Sequence, residues 1–453
     1  MLTALCLLLS ERMFTMNWNH LLDEATHHLQ EYIRIQTVNP PGNEIEGARF
    51  FKRIFDAETI PCQVFDPLPG RGSILANLKG NGKKKPILLL NHIDVVPVEK
   101  EHWAGDPFEG TIRDGYLYGR GALDDKSMGI VEMMALLILK RERVSLKRDI
   151  LFLAAADEET GGHWGIQWAI ENVPYLREAE YALNEGGYII LNETGAADRY
   201  EISNGQKVIF QLHLKAKGTS GHASMPHSDN PNVKLIHALE AVTKWETPYH
   251  ILPMVKEFFS KMAPKQPPDE RKYFEDIEKG LRDPSFSVRL TKNLVYNAMI
   301  RNTISLTILQ AGNKANVIPS ESMATLDCRL IPGSSKEEFL KEIKKRLGDD
   351  IEVEGKMEGK LVPPSPFDTG LFQAIQKFAS ENDPDCLVVP YLLPGATDSR
   401  SLRERGITSY DFCPFRLPEE EILRIHGNDE RIALENLKFG MRMLVEILEE
   451  VAT

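Results

Sequence analysis

The sequence contains nothing that would staple the chain together. Its five cysteines, Cys6, Cys62, Cys328, Cys386 and Cys413, are scattered over 453 residues with no CxxC pair. That pattern reads as reduced thiols in a cytoplasmic protein rather than as a disulfide framework. Basic charge is also short: 54 Lys and Arg stand against 66 Asp and Glu, a net charge of −12, and no basic cluster stands out. Nucleic-acid binding through phosphate neutralisation is thereby excluded, while cationic partners and metal ions stay open. The apolar opening stretch "MLTALCLLLS" is far shorter than the roughly 20 residues of a membrane span. It also lacks the basic region of a signal peptide, so a start chosen upstream of Met13 or Met16 explains it more simply than a signal or lipid-attachment site. There is no internal repeat and no low-complexity segment, and no association with membranes is expected.

What is present is the composition of a soluble globular protein, 42% hydrophobic and 26% charged. The length exceeds one ordinary core and suggests two or three domains. An amphipathic helix is predicted over "NHLLDEATHHLQEYIRIQ", ending at "TVNPPGNE", where prolines and a glycine forbid continuation. The short apolar runs "PILLLNHIDVVPV" and "DILFLAAADEE", separated by the helix candidate "SMGIVEMMALLILKRERV", predict a mainly parallel sheet covered by helices. Ligand sites in such sheets lie beyond the carboxyl ends of the strands.

From about Gln206 the texture changes. "KVIFQLHLKAKG" alternates polar and apolar residues, and strand, helix, two strands, helix and strand follow in the order of the ferredoxin-like split unit. An insertion rich in Lys, Pro and Phe, near 246–299, separates its first helix from its second strand. The predicted organisation is a first domain over 1–205, an inserted α+β domain over 206–359, and a return to the first domain over 360–453. The final helix is expected to bury the stripe Leu437, Met441, Leu444 and Leu448.

The chemistry gathers at the predicted strand ends. "NHIDVV" sets His92 and Asp94 two apart on one face. The Asp94 carboxylate there can fix the tautomer of a metal-ligating imidazole, although a structural hydrogen-bonded pair would look the same. "YGRGALDDKSMG" carries Asp124 and Asp125 at a helix start, as an N-cap or as a carboxylate bridging two metals. "ADEETGG" is harder to explain as structure alone, because Asp157, Glu158 and Glu159 follow seven buried-looking residues. Adjacent acids with separate tasks, one binding a cation and one acting as general base, make sense of it. "LNEGG" adds Glu185 and "RIHGNDERI" adds His426. Two histidines and three carboxylates suit a pair of zinc ions. Two dications, three carboxylates and a hydroxide sum to zero charge.

These motifs resemble the dinuclear zinc peptidases and deacylases that include aminoacylase, carboxypeptidase S, glutamate carboxypeptidase, acetylornithine deacetylase and succinyl-diaminopimelate desuccinylase. The resemblance runs from "RIQTVNPPG" to "HGNDERI". It implies two zinc ions, with cobalt or manganese also suited to the ligands. His92 and Glu185 would hold one ion, Glu159 and His426 the other, and Asp124 would bridge them through a cis Asp124–Asp125 peptide. Asp94 would orient His92, and Glu158 would be the general base. In the inserted domain, a lid that also serves dimerisation, His222 of "GTSGHASMP" would stabilise the oxyanion. Asn316 of "NKANVIP" and Arg329 of "DCR" would bind the substrate's carboxylate, facing Gly395 of "LPGATDSR" from the catalytic domain. The implied partner is a small N-acyl amino acid or a short peptide, and the implied assembly a homodimer through the lid. Glu185, where several members have Asp, resembles the aminoacylase and carboxypeptidase S branch and favours N-acyl amino acid deacylation. The alternatives are a carboxypeptidase or dipeptidase of the same family, an inactive small-molecule-binding scaffold, and a two-metal phosphoesterase.

Overall fold

A computed structural model describes residues 16–453; the opening stretch "MLTALCLLLS", with Cys6 and Met13, lies outside the described residues. The chain forms two units, the first running to Glu201 and resuming over Asp368–Val388 and Ile407–Thr453. Its sheet is parallel through the centre, where four strands lie in the order Ile150–Ala155, Ile87–His92, Tyr181–Asn184 and Thr408–Asp411. Antiparallel strands Ser73–Leu78 and Cys62–Phe65 extend it on the Ile150–Ala155 side. Every residue of Ile87–His92 and of Ile150–Ala155 is buried, which is why these runs are continuously apolar instead of alternating.

The helix Lys126–Arg141 is buried over all but its last two residues, as expected of a helix that is apolar all round. It packs on the strand Ile87–His92 and against the helices Trp18–Arg34 and Leu434–Ala452. Trp18–Arg34 turns Ala25, Leu29, Tyr32 and Ile33 inward, and Leu434–Ala452 buries Leu437, Met441, Leu444 and Leu448. The polar ends of Ile87–His92, Ile150–Ala155 and Tyr181–Asn184 thus emerge from an apolar core with His92, the acids 157–159 and Glu185 at or just beyond them.

The second unit comprises Ile202–Phe367 and Val389–Gly406. Its antiparallel sheet has the order Thr303–Ala311, Glu321–Leu330, Val208–Lys217, Ile351–Met357. With the helices Pro231–Thr243 and Lys336–Leu347 this is the ferredoxin-like βαββαβ arrangement. Burial alternates along Val208–Lys217 as the sequence pattern requires; Phe210, Leu212 and Leu214 share a core with Leu235, Leu239, Phe339 and Ile343. The insertion folds into short helices around Phe258, Phe259, Phe274 and Tyr296, whose rings meet edge-on.

The ends of the insertion are tied to one place. Thr247 Oγ1 donates to Asn302 O at 2.5 Å. The fully buried Lys207 ammonium donates to Ala298 O, Arg301 O and Thr303 Oγ1 at 3.1, 2.9 and 2.9 Å.

The chain passes between the two units at Glu201/Ile202, Phe367/Asp368, Val388/Val389 and Gly406/Ile407. Val389–Gly406 groups with the second unit. In that segment Lys207 N donates to Leu393 O at 3.0 Å, and the Gln206 amide joins Thr397 O and Arg403 at 3.0 and 2.8 Å.

Lys207→Met leaves three buried or partly buried acceptors without their donor. It is expected to cost on the order of 3 kcal/mol, read as a lower urea midpoint with the insertion losing protease resistance before the rest of the chain.

Candidate metal centre

The strand Ile87–His92 delivers His92 at its last position. The ring Nδ1–H donates to Asp94 O at 2.9 Å, and Nε2 lies 2.8 Å from Asp124 Oδ1. Asp94 is also the residue expected to orient His92 through its carboxylate. That carboxylate stands 3.6 Å from Nδ1 because three other donors claim it: Asn39 Nδ2 at 2.8 Å and the backbone N–H groups of Glu158 and Glu159, both at 3.1 Å. Asp94 therefore fixes His92 through its carbonyl and the following acid loop through its side chain.

Asp124 precedes the helix Lys126–Arg141. Asp125, not Asp124, occupies the N-cap, and it makes no side-chain cap bond; its Oδ2 accepts from His92 N at 3.3 Å instead. The Asp124–Asp125 peptide is cis. The two oxygens of Asp124 face different imidazoles, Oδ1 toward His92 and Oδ2 at 3.0 Å from His426 Nε2. Glu159 Oε2 lies 3.3 Å from the same His426 nitrogen. Ligand atoms of His92, Asp124 and Glu159 fall within 4.8 Å of one another, as do those of His92, Glu158 and Glu185.

Two residues of this site hold left-handed backbone conformations that non-glycine residues rarely adopt, Asp157 at φ +72° and His426 at φ +61°. Such strain persists where surrounding bonds over-determine the conformation. At Asp157 those bonds are visible: the carboxylate accepts from Arg71, from Thr160 Oγ1 and from Trp164 N. At His426 the carbonyl accepts from Arg120 at 3.3 Å.

The electrostatics are those of a site short of positive charge. Burial pushes Glu185 well above the usual carboxylate range, helped by Asp124 and Glu158, and burial raises Glu159 too. Against its own burial, hydrogen bonds from His426 and His92 hold Asp124 low. Hydrogen bonds to Asp124 and Glu159 raise the His426 imidazole to about 10. Glu159 Oε1 is buried without a protein partner. Four carboxylates, two imidazoles and an unmatched oxygen fit cations of the zinc class, which take N and O donors in compact sets.

Several residues that build this site escaped the sequence reading. Glu430, fully buried, accepts from Arg120 at 2.7 Å and from the backbone N–H groups of Gly121, Leu123 and Asp124 at 3.1, 2.7 and 3.0 Å. It thereby holds the turn that presents Asp124. Its one signal in sequence is its place in the motif that contains His426. Asn39 belongs to "TVNPPG", which reads only as a helix stop, and Arg71 to a stretch in which the sequence pattern singles out nothing.

In the second unit, His222 lies on Gly221–His222, paired antiparallel with Val317–Ile318, and Ala223 N donates to Asn316 O at 3.1 Å. Two motifs nearly a hundred residues apart are thus neighbours. Ser224 N donates to His222 Nδ1 at 3.1 Å, so the proton of the neutral ring sits on Nε2. The Arg329 guanidinium is forked on Asp327, at 2.6 and 3.1 Å. Gly395 groups with this unit too.

A parallel α/β sheet carrying an acid and imidazole cluster beyond its strand ends defines the class of metal-dependent hydrolases. The description of Peptidase family M20/M25/M40 matches residues 88–450, and the chain belongs to that family. It is 31% identical over 379 residues to the probable carboxypeptidase S-like 2 of Dictyostelium discoideum, covering 81% of this chain and 72% of that one. It is 30% identical over 386 residues to the N-fatty-acyl-amino acid synthase/hydrolase PM20D1 of Mus musculus, covering 82% and 75%. Among solved structures, the M20 family metallo-carboxypeptidase Sso-CP2 from Sulfolobus solfataricus shares the fold with a TM-score of 0.73 at 18% identity, over 94% of this chain and 98% of that one.

Behind the acid loop, burial and the nearby Asp94 push the Glu44 carboxyl up to about 7. A carboxyl raised on folding contributes stability that is complete below its unfolded value of about 4.5 and disappears as pH rises through about 7. Wild-type stability, followed by urea titration, is expected to fall across that window, and Glu44→Gln to flatten the slope.

Proposed function

We propose that the chain is a dinuclear zinc hydrolase that cleaves the amide bond of N-acyl amino acids beside a free carboxylate. The observation that carries this reading is the Asp124 carboxylate, one oxygen toward each imidazole, with Glu159 beside His426 and Glu185 and Glu158 beside His92. His92 and Glu185 would hold one ion, Glu159 and His426 the other, and Asp124 would bridge them. When bound, such ions supply Lewis acidity to the amide carbonyl and acidify water.

The chain's own residues do the rest. Glu158, its backbone N–H held by Asp94, accepts the proton of the attacking water and delivers it to the departing amine. His222, with its proton on Nε2, is assigned as donor to the oxyanion, and Asn316, Arg329 and Gly395 to the substrate's carboxylate. For Arg329 this requires exchanging the Asp327 fork for a substrate.

N-acyl amino acids are favoured by Glu185 and by the name of the mouse relative. A carboxypeptidase or dipeptidase is the second reading, favoured by the name of the Dictyostelium relative. Cobalt or manganese would suit the same donors. Four cysteines are free among the described residues, in keeping with a reducing compartment, and a cytoplasmic location is assigned on that ground. No helix among the described residues is long and apolar enough to cross a membrane.

A homodimer through the second unit rests on its edge strand Thr303–Ala311. Leu306, Ile308 and Leu309 there are exposed, as are Val233 and Ile236 of Pro231–Thr243. An uncovered apolar edge is a template for pairing with another chain.

Turnover of N-acetyl-methionine set against a panel of dipeptides separates the two substrate readings. Glu158→Gln is expected to lower kcat by at least about a hundredfold while two metal ions per chain are retained by elemental analysis; a variant at full rate would refute the base assignment. Ile308→Lys with Leu309→Lys is expected to turn a dimer into a monomer in light scattering.

A further inference from the structure

Arg71 lies in a glycine- and proline-rich turn, yet its guanidinium is buried, with the residue 8% exposed. It stands among three acids that are more buried still: Glu44, Asp94 and Asp157. One terminal nitrogen donates to Asp157 Oδ1 at 2.5 Å and lies 2.9 Å from Glu44 Oε1. The other donates to Asn39 Oδ1 at 3.0 Å and to Pro41 O at 2.8 Å. The chain passes so close at Gly42, φ +85°, that a Cβ there would sit 2.5 Å from the guanidinium.

The three side-chain partners lead to the loop that carries Glu158. Glu44 Oε1 accepts from Asp157 N at 3.2 Å. Asn39, oriented by Arg71, turns its amide to Asp94 and Thr160 at 2.8 and 3.0 Å. Asp94 in turn accepts from the Glu158 and Glu159 backbone N–H groups. Asp157 itself holds the left-handed conformation immediately before the base.

A buried ion pair alone is weak grounds for a functional role. Here, however, the cation is forked over two separate supports of one short segment, and a planar guanidinium can do this where an ammonium cannot.

We infer that Arg71 is a positioning residue for catalysis: its guanidinium, bridging Asp157, Glu44 and Asn39, sets the loop on which Glu158 acts. The inference rests on the assignment of Glu158 as general base. It names a residue outside the metal cluster that acts on kcat without touching substrate or ligand atoms. Misplacing a reacting group by about 1 Å can cost on the order of a hundredfold in rate.

The test compares Arg71→Lys and Arg71→Met with wild type and with Glu158→Gln in the metal-loaded full chain. Four quantities are read: kcat, KM, metal content, and amide hydrogen exchange at residues 156–164. Arg71→Lys is expected to lose roughly tenfold or more in kcat and Arg71→Met roughly a hundredfold, with KM within about twofold, unchanged metal content and faster exchange confined to that segment. Should Arg71→Met fail to fold, Arg71→Lys decides alone.

Wild-type kcat with unchanged exchange in Arg71→Lys would overturn the inference, as would a loss residing in KM or in metal content. Glu158→Gln at full rate would instead sink the base assignment, and the exchange data, which need no turnover, would still report whether Arg71 holds the loop.

Discussion

Carboxylates crowded at the end of a buried sheet repel one another, and the first unit is organised around that repulsion. Asp124, Glu158, Glu159 and Glu185 meet beside only two imidazoles, so the cluster is short of cations. A protein can tolerate this only where each acid is fixed by other bonds and a compensating charge can enter. The fixing bonds are distinctive. Glu430 accepts four donors and holds the turn before Asp124, and Asp94 spends its carboxylate on backbone N–H groups of the acid loop. Two carboxylates that bind nothing themselves thus determine where the others stand.

This arrangement explains what could and could not be seen in the sequence. The buried strands Ile87–His92 and Ile150–Ala155 announced themselves as short apolar runs, because burial on both faces removes polar residues from a strand. The helix Trp18–Arg34 and the alternating strand Val208–Lys217 were legible from periods of 3.6 and 2. The candidate ligands were legible because histidines and acids at strand ends are costly without a task.

The supporting contacts were not. His92 and Asp94 share a face, and that much spacing can tell. That the ring would bond to a carbonyl and leave the carboxylate to Asn39, Glu158 and Glu159 depends on residues more than fifty positions away. Glu430 and Arg71 look like any loop charge until the fold buries them.

The split of the first unit into three stretches of chain has a consequence for its birth on the ribosome. The parallel strand Thr408–Asp411 must find Tyr181–Asn184 across more than two hundred residues, and His426 arrives within the last thirty. The second unit draws on nothing beyond Gly406, so it can condense while the polypeptide is still emerging, whereas the first must wait half-built with apolar strands uncovered. The nascent protein therefore passes through a stage in which its most aggregation-prone surface is exposed and chaperone capture matters most. A premature stop codon anywhere before His426 leaves a product with no complete centre.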